Sequence, residues 1–541
     1  MRTARMREKV GLTSARWRGQ RRRSVAALVV GCALLAGPVA SALPTYAVPQ
    51  KSGTNTPAPD EPGAVPKGLE SFYSQEVSWY PCGDSGGIQK TDEQGKFSCA
   101  TVTVPMDYNN PDGKTIQVAV KKRAADGESR GSLFINPGGP GGSGISLVEA
   151  VDKSFSKDLL AGYDVVGFDP RGVGSSTPIT CQDAKSAEEA SAEQPQEESS
   201  FENWAQGYMD EVSKLEKQCR EHSEPGLLDH VGTASVARDL DVLRAVSGEK
   251  SLNYLGFSYG TELGYTYAEL FPENAGRLVL DGAMDSTSTN HRLTVETAEG
   301  YEKALHRYVQ ACLEGKAGDN CPLTGSVEDG VQQIRDLITS ANASPLKTSD
   351  PDVKITGAQL TGAIRRYLSG GAWPQLTAAL APAIGQNDAS GFAEAVKQAS
   401  AGVSMTAWTA VMCQDRPAQG NMDAWKAQYE ETQKVAPTFA GGASFDMTCA
   451  AWGHYSKTDP IPQDVHAKGA ALILVVGTAG DPATPYHWAQ ALARQLDSAQ
   501  LITWDGNAHV AYMRGNKCIT TAVDDFLLGG QLPQNNLTCT S

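Results

Sequence analysis

Short apolar runs punctuate the first half of the chain, separated by stretches in which apolar residues return every three or four positions. The runs Ala100–Val104, Ile116–Lys121, Ser132–Asn136, Val165–Asp169, Leu252–Leu255 and Arg277–Asp281 read as strands. The later ones are continuously apolar, as strands covered on both faces are. A helix is predicted over Ile145–Leu160. A second is capped by Thr233 or Ser235, brings Val236, Leu240 and Leu243 onto one face and ends at Gly248. From Asp285 to Val465 the pattern is helical throughout, as in Tyr301–Cys312, Val327–Ile338, Gly357–Leu368 and Ala424–Val435. Strands resume at Ala471–Val476 and Leu501–Trp504. Eight strands with intervening helices predict an α/β fold with a mostly parallel eight-stranded sheet. The helical block between the sixth and seventh strands, roughly 180 residues, is too long for a connection. It is expected to form a cap over the carboxyl ends of the strands, where such sheets bind ligands.

One turn in this pattern carries chemistry. Gly256-Phe257-Ser258-Tyr259-Gly260 leaves a strand and enters a helix over Tyr259–Leu270, the context of a nucleophile elbow. Glycines at both ends let the backbone fold sharply while the strained middle position exposes the Ser258 hydroxyl. A serine hydroxyl needs a base to take its proton, and the base needs a carboxylate to fix its tautomer. In an α/β-hydrolase these follow in the order Ser, Asp, His, at the ends of later strands. Asp481 follows Ala471–Val476 and His509 follows Leu501–Trp504, so both are predicted catalytic residues. His487 is the rival base and Asp505 the rival acid, but Asp505 lies too close along the chain to face His509 easily. The oxyanion hole is expected from the backbone N–H of Tyr259 and that of Gly139, in the loop Asn136–Gly144 after the third strand. That loop has a second reading. Gly139-x-Gly141-x-x-Gly144 with Asp169 matches a dinucleotide fingerprint, although it sits on the third strand rather than the first and Pro140 stiffens it. Asp169 and Arg171 are expected to brace the turn after the fourth strand.

Composition changes the picture at the N-terminus. Residues 1–42 carry many basic residues, Glu8 as the one acid, the apolar run Val25–Val39 and then Ala40-Ser41-Ala42, the pattern of an export signal. Arg22-Arg23 fits a twin-arginine route, and Val29-Val30-Gly31-Cys32 resembles a lipoprotein box that would anchor the chain at the cell surface. Otherwise the protein is expected to be secreted, with no stable membrane insertion after signal removal. Residues 43–68, rich in Pro, Gly, Thr and Ser, read as a linker. The remaining domains are core 69–284, cap 285–465 and core 466–541. The formal charge of −15 excludes nucleic acid as an expected partner. Beyond Cys32 the ten remaining cysteines suggest disulfides. Their spacings invite Cys82 with Cys99, Cys181 with Cys219, Cys312 with Cys321, Cys413 with Cys449 and Cys518 with Cys539. The chain contains no Cys-x-x-Cys and no His-Glu-x-x-His, so neither metal nor other cofactor is expected.

Cys99–Tyr108, the Asn136–Gly144 loop, Gly167–Gly174, the Gly256–Gly260 elbow and the surroundings of Asp481 and His509 together resemble the exported tripeptidyl aminopeptidases of actinobacteria. These are α/β-hydrolases related to prolyl aminopeptidases, with a characteristic C-terminal region. The resemblance implies Ser258, Asp481 and His509 as a triad, Gly139 and Tyr259 as oxyanion donors, and release of short peptides from free N-termini. Some relatives are labelled carboxylesterases, which makes ester hydrolysis the alternative. Asn136-Pro137 replaces the His that prolyl aminopeptidases carry before Gly-Gly-Pro-Gly, so proline specificity does not transfer. An aminopeptidase pairs the substrate ammonium with carboxylates, and Glu262 and Asp415 are the candidates.

Overall fold

All eight expected strands form in the computed structural model, which describes residues 63–92, 94–181, 200–442, 444–534 and 536–540. The expected signal with its Cys32, most of the 43–68 linker and residues 182–199 lie outside the described residues. The strands are β1 (Tyr80–Pro81), β2 (Phe97–Pro105), β3 (Thr115–Arg123), β4 (Ser132–Asn136), β5 (Asp164–Phe168), β6 (Leu252–Phe257) and β7 (Ala275–Asp281). They continue with β8 (Leu346–Lys347), β9 (Lys354–Ile355), β10 (Ile473–Thr478), β11 (Ala499–Asp505) and β12 (Thr538–Thr540). The main sheet runs β1-β2-β3-β5-β4-β6-β7-β10-β11-β12, antiparallel through β1, β2, β3 and β5 and parallel from β5 onward. It therefore has ten strands, not eight. β1 and β12 are too short to make an apolar run, and a disulfide staples each edge: Cys82–Cys99 beside β1 and Cys518–Cys539 through β12. The other three bridges are those the spacings invited.

Period-two alternation sends Phe134 to one face and Leu133 and Ile135 to the other, and both faces are covered. Helices Thr233–Val246 and Tyr259–Leu270 pack on the first, Gly144–Ser154 and Lys517–Gly529 on the second. The single helix expected over Ile145–Leu160 is two, because Ser156 accepts the Leu159 N–H and starts a new helix, Lys157–Gly162. The helix at Thr233 is preceded by Gly232 and lacks the side-chain cap expected of Thr233 or Ser235. The Thr233 hydroxyl is turned to other partners.

Among the described residues eight helices lie between β7 and β10. The first five, from Asn290–Leu313 to Ser390–Gly402, share an apolar centre of their own that includes Leu305, Tyr308, Ile334, Leu360, Ile364, Leu376 and Leu380. Met405–Asp415 and Phe445–Trp452 instead bury residues such as Val411 and Trp452 in the cluster on the sheet. The small antiparallel pair β8–β9 interrupts the helical pattern. A second insertion joins this block. The helix Phe201–His222, between β5 and β6, bonds to Phe445–Trp452 through Tyr208 to Thr448 and Ser213 to the Ala451 carbonyl. The parallel strands end on one edge, at Asn136, Phe168, Phe257, Asp281, Thr478 and Asp505, and the residues that follow these ends carry the chemistry.

Candidate active site

Ser258 closes β6 with φ 57° and ψ −126°, a conformation that L-residues rarely adopt. The turn is this tight because its ends touch: a Cβ on Gly256 would stand 2.4 Å from the Gly260 carbonyl oxygen. The Ser258 N–H donates to the Asp281 carbonyl at 2.9 Å, tying the elbow to the end of the neighbouring strand. The next residue, Gly282, fits against His509, since a Cβ there would lie 3.3 Å from His509 Cε1 and from Thr484 Oγ1. One peptide thus brings the serine and histidine loops together.

His509 Nδ1 lies 3.0 Å from both carboxylate oxygens of Asp481. Asp481 is buried and also accepts the N–H groups of Ala483, Thr484 and Val510 and the Thr484 hydroxyl. Five groups fix one carboxylate, and that carboxylate orients one imidazole. A second buried acid, Asp281, accepts the N–H groups of Ala511 and Tyr512 just beyond His509. Burial pushes its carboxyl up to about 6, against the pull of those two N–H groups. Sequence reasoning missed Thr484 and Asp281. The signals were a hydroxyl three residues after an aspartate and an aspartate ending an apolar strand. The rivals go elsewhere: His487 pairs with Glu296 on the cap at 2.8 Å, and Asp505 ends β11.

The Asn136–Gly144 loop stands directly over the elbow. A Cβ on Gly138 would meet the Phe257 carbonyl at 2.3 Å and both Ser258 Cβ and Tyr259 N at 3.0 Å. Asn136 Oδ1 accepts the Gly138 N–H, and Gly139 has φ +114°. As the first residue of its helix, Tyr259 has an N–H without an intrahelical acceptor, available beside this loop. The remaining glycines of the dinucleotide-like pattern are explained by packing. A Cβ on Gly144 would meet the Phe168 carbonyl at 2.3 Å, and one on Gly141 the Ser404 carbonyl at 2.7 Å. Asp169, the acid of that pattern, is taken by the Ser143 hydroxyl and the Ser175 N–H. Arg171 is bidentate to Asp239 and bonds the carbonyls of Pro105, Met106 and His230, bracing the turn.

The cap reaches all three loops. The Ser404 N–H donates to Gly141, Ser369 accepts the His509 N–H at 2.8 Å, and Arg307 donates to the Gly480 carbonyl. Glu262 and Asp415 also meet at this junction, where each already has a partner within the protein. Glu262 is fully buried against Arg416 at 2.7 Å, and Asp415 accepts the N–H and hydroxyl of Thr233. Arg416, a cation from the cap that the sequence reading did not weigh, already fills the role of counter-charge. Burial first, then the nearby Glu262, pushes Asp415 up to about 7. The Thr233 hydroxyl links Asp415 to Tyr259 Oη.

The chain matches the family described as TAP-like protein over residues 436–539 and the α/β hydrolase fold family over residues 131–320. The serine protease Hip1 of Mycobacterium tuberculosis is 34% identical over 489 residues, covering 87% of this chain and 92% of that protein. Carboxylesterase B of the same species is 34% identical over 541 residues, covering 97% and 99%. A tripeptidyl aminopeptidase of Streptomyces lividans is 32% identical over 489 residues, covering 86% of each.

Proposed function

This chain belongs to the TAP-like family of α/β-hydrolases, and from that membership we infer that it is a serine exopeptidase releasing short peptides, tripeptides above all, from free N-termini. The observation that carries the reading is the strained Ser258 elbow joined through the Asp281–Gly282 peptide to a His509 held by Asp481. Ser258 Oγ attacks the scissile carbonyl while His509 Nε2 takes its proton. Asp481 keeps the Nδ1 proton in place and stabilises the imidazolium that forms. The developing oxyanion is met by the N–H groups of Gly139 and Tyr259, positioned before the reaction begins. His509 then protonates the leaving amine, and water repeats the sequence on the acyl-enzyme at Ser258.

The protein works outside the cytoplasm, with residues 1–42 as its export signal. Five disulfides among the described residues support an oxidising compartment, and no helix among them is long and apolar enough to cross a membrane. Ester hydrolysis by the same residues is the second reading, favoured by the similarity to carboxylesterase B. One assay separates the two: a tripeptide amide chromophore with free or acetylated N-terminus, against a short acyl ester, using wild type and Ser258→Ala. Cleavage of the free tripeptide alone, absent in the variant, is the expected result. Turnover of the ester with both peptides untouched would replace the peptidase reading by the esterase one.

A further inference from the structure

We propose that Arg365, on the cap helix Gly357–Gly370, binds a carboxylate of the substrate in a cavity beside the catalytic loops; the proposal deepens the peptidase reading and rests on it. The guanidinium lies 4.6 Å from the ring centre of Tyr301 and 5.6 Å from that of Phe439. Its Nε is buried without a hydrogen-bond partner, and among the described residues no carboxylate lies within ion-pair distance of it. The side chain is half-buried, so a cation there loses part of its hydration without a counter-ion in return, whereas the buried guanidiniums of Arg123, Arg171, Arg244 and Arg416 each have an acid at 2.6 or 2.7 Å. Burial pushes the Arg365 pKa below the ordinary arginine value, opposed only by Tyr301. Arg307 and Arg514 likewise lack an ion-paired acid among the described residues, but each donates to backbone carbonyls; Arg365 keeps its buried Nε for an acid from outside.

Arg365 lines a cavity of about 150 Å³ whose walls include Thr297, Trp425, Tyr429, Phe439 and Phe445. That is room for a few waters, or for one side chain ending in a carboxylate. Three contacts connect the cavity to the catalytic loops. Thr297 Oγ1 donates to the Ala483 carbonyl, two residues past Asp481. Phe445 packs edge-on against Trp408, on the helix that Ser404 caps against the oxyanion loop. Tyr301, under the guanidinium, bonds Ser369 Oγ, while the Ser369 carbonyl takes the His509 N–H. The elements that line the cavity are therefore the same ones that hold the Asp481, oxyanion and His509 loops in place.

Two carboxylates have the right chemistry: an acidic side chain in the released peptide and the C-terminal carboxylate of a short substrate. The test compares Glu with Gln at each of three positions of a tripeptide amide chromophore, and free with amidated C-termini of tetrapeptides, in wild type, Arg365→Met and Arg365→Lys. Wild type is expected to favour Glu at one position, or the free C-terminus, by about tenfold or more in kcat/KM. Because the ratio is taken within each variant, it falls to about one in Arg365→Met whatever happens to the overall rate, and Arg365→Lys keeps part of it. The arm that shows the ratio identifies the carboxylate. Thermal denaturation supplies a readout of structure: a binding role leaves the Tm of Arg365→Met unchanged or raised, a purely structural role lowers it. Calorimetric binding of the Glu and Gln tripeptides to Ser258→Ala decides the point even if the amides are not cleaved, so failure of the peptidase reading is told apart from failure of this one. Equal behaviour of every acid and neutral pair in wild type, or a preference that survives in Arg365→Met, overturns the proposal.

Discussion

In the core, the guanidinium of Arg171 gives its hydrogens to both oxygens of Asp239 and to three backbone carbonyls, with both side chains out of contact with solvent. In the cap, the guanidinium of Arg365 rests on two aromatic rings, and among the described residues its buried Nε finds no acceptor. Other groups near the site divide in the same way. Asp481 and Asp281 in the core are met by several donors each, whereas the Nε of Arg307, facing the same loop from the cap, is buried without a partner. The carboxylates that hold the His509 loop are met by several donors each, and the Nε atoms of Arg307 and Arg365 on the cap keep hydrogen-bonding capacity unspent.

Four substitutions probe that division, in descending order of effect. Ser258→Ala removes the nucleophile from a site whose other parts are braced independently; kcat/KM should fall about 10⁴- to 10⁶-fold, with labelling by a fluorophosphonate lost and Tm nearly unchanged. Arg171→Met strands the Asp239 charge in the core and should cost about 3–5 kcal/mol of stability in denaturant titrations. If Arg365→Met destabilises the protein by as much as Arg171→Met does, the contrast between core and cap collapses. Thr484→Val deletes one of five bonds to Asp481 and should lower kcat/KM only about tenfold, without a shift in Tm large enough to account for it. A loss as deep as that of Ser258→Ala would mean that the site is far less braced than its geometry implies.

The smallest effect concerns the junction. The folded-state pKa of Asp415 is raised to about 7, above the ordinary carboxylate value of 3.8. A raised folded pKa means that the native state holds its proton where the unfolded chain has released it. Its contribution is therefore complete below the unfolded pKa and declines as pH rises through about 7. Asp281, raised to about 6, adds a decline of the same sign at lower pH. Tm should accordingly fall between pH 5 and 8 less steeply in Asp415→Asn than in wild type. Identical slopes in the two proteins would show that Asp415 does not carry its proton into the folded state.

The elbow, the two later loops and the strand runs were legible in the sequence because each is a local pattern. Gly256 and Gly260 flank Ser258 at fixed spacing, and Asp481 and His509 each follow an apolar strand. β1 and β12 were not legible, since two or three residues at a sheet edge leave no periodicity to read. Nor was the helix Phe201–His222, whose inward residues Ala205, Val212, Leu215 and Cys219 are spread thinly through a polar segment.

Turn sterics, the alternation of buried positions and disulfides of short separation are thus written in neighbouring residues, and the sequence by itself determined them, together with the α/β class and the chemical identity of the triad. Partnership between charges is not local. Glu262 pairs with a cation more than a hundred residues away, while the helices that fold around Arg365 bring it aromatic rings and, among the described residues, no carboxylate at ion-pair distance. Which ionic groups are consumed by the fold and which remain for a ligand depends on what the closed packing delivers to each, and only the tertiary structure decided that.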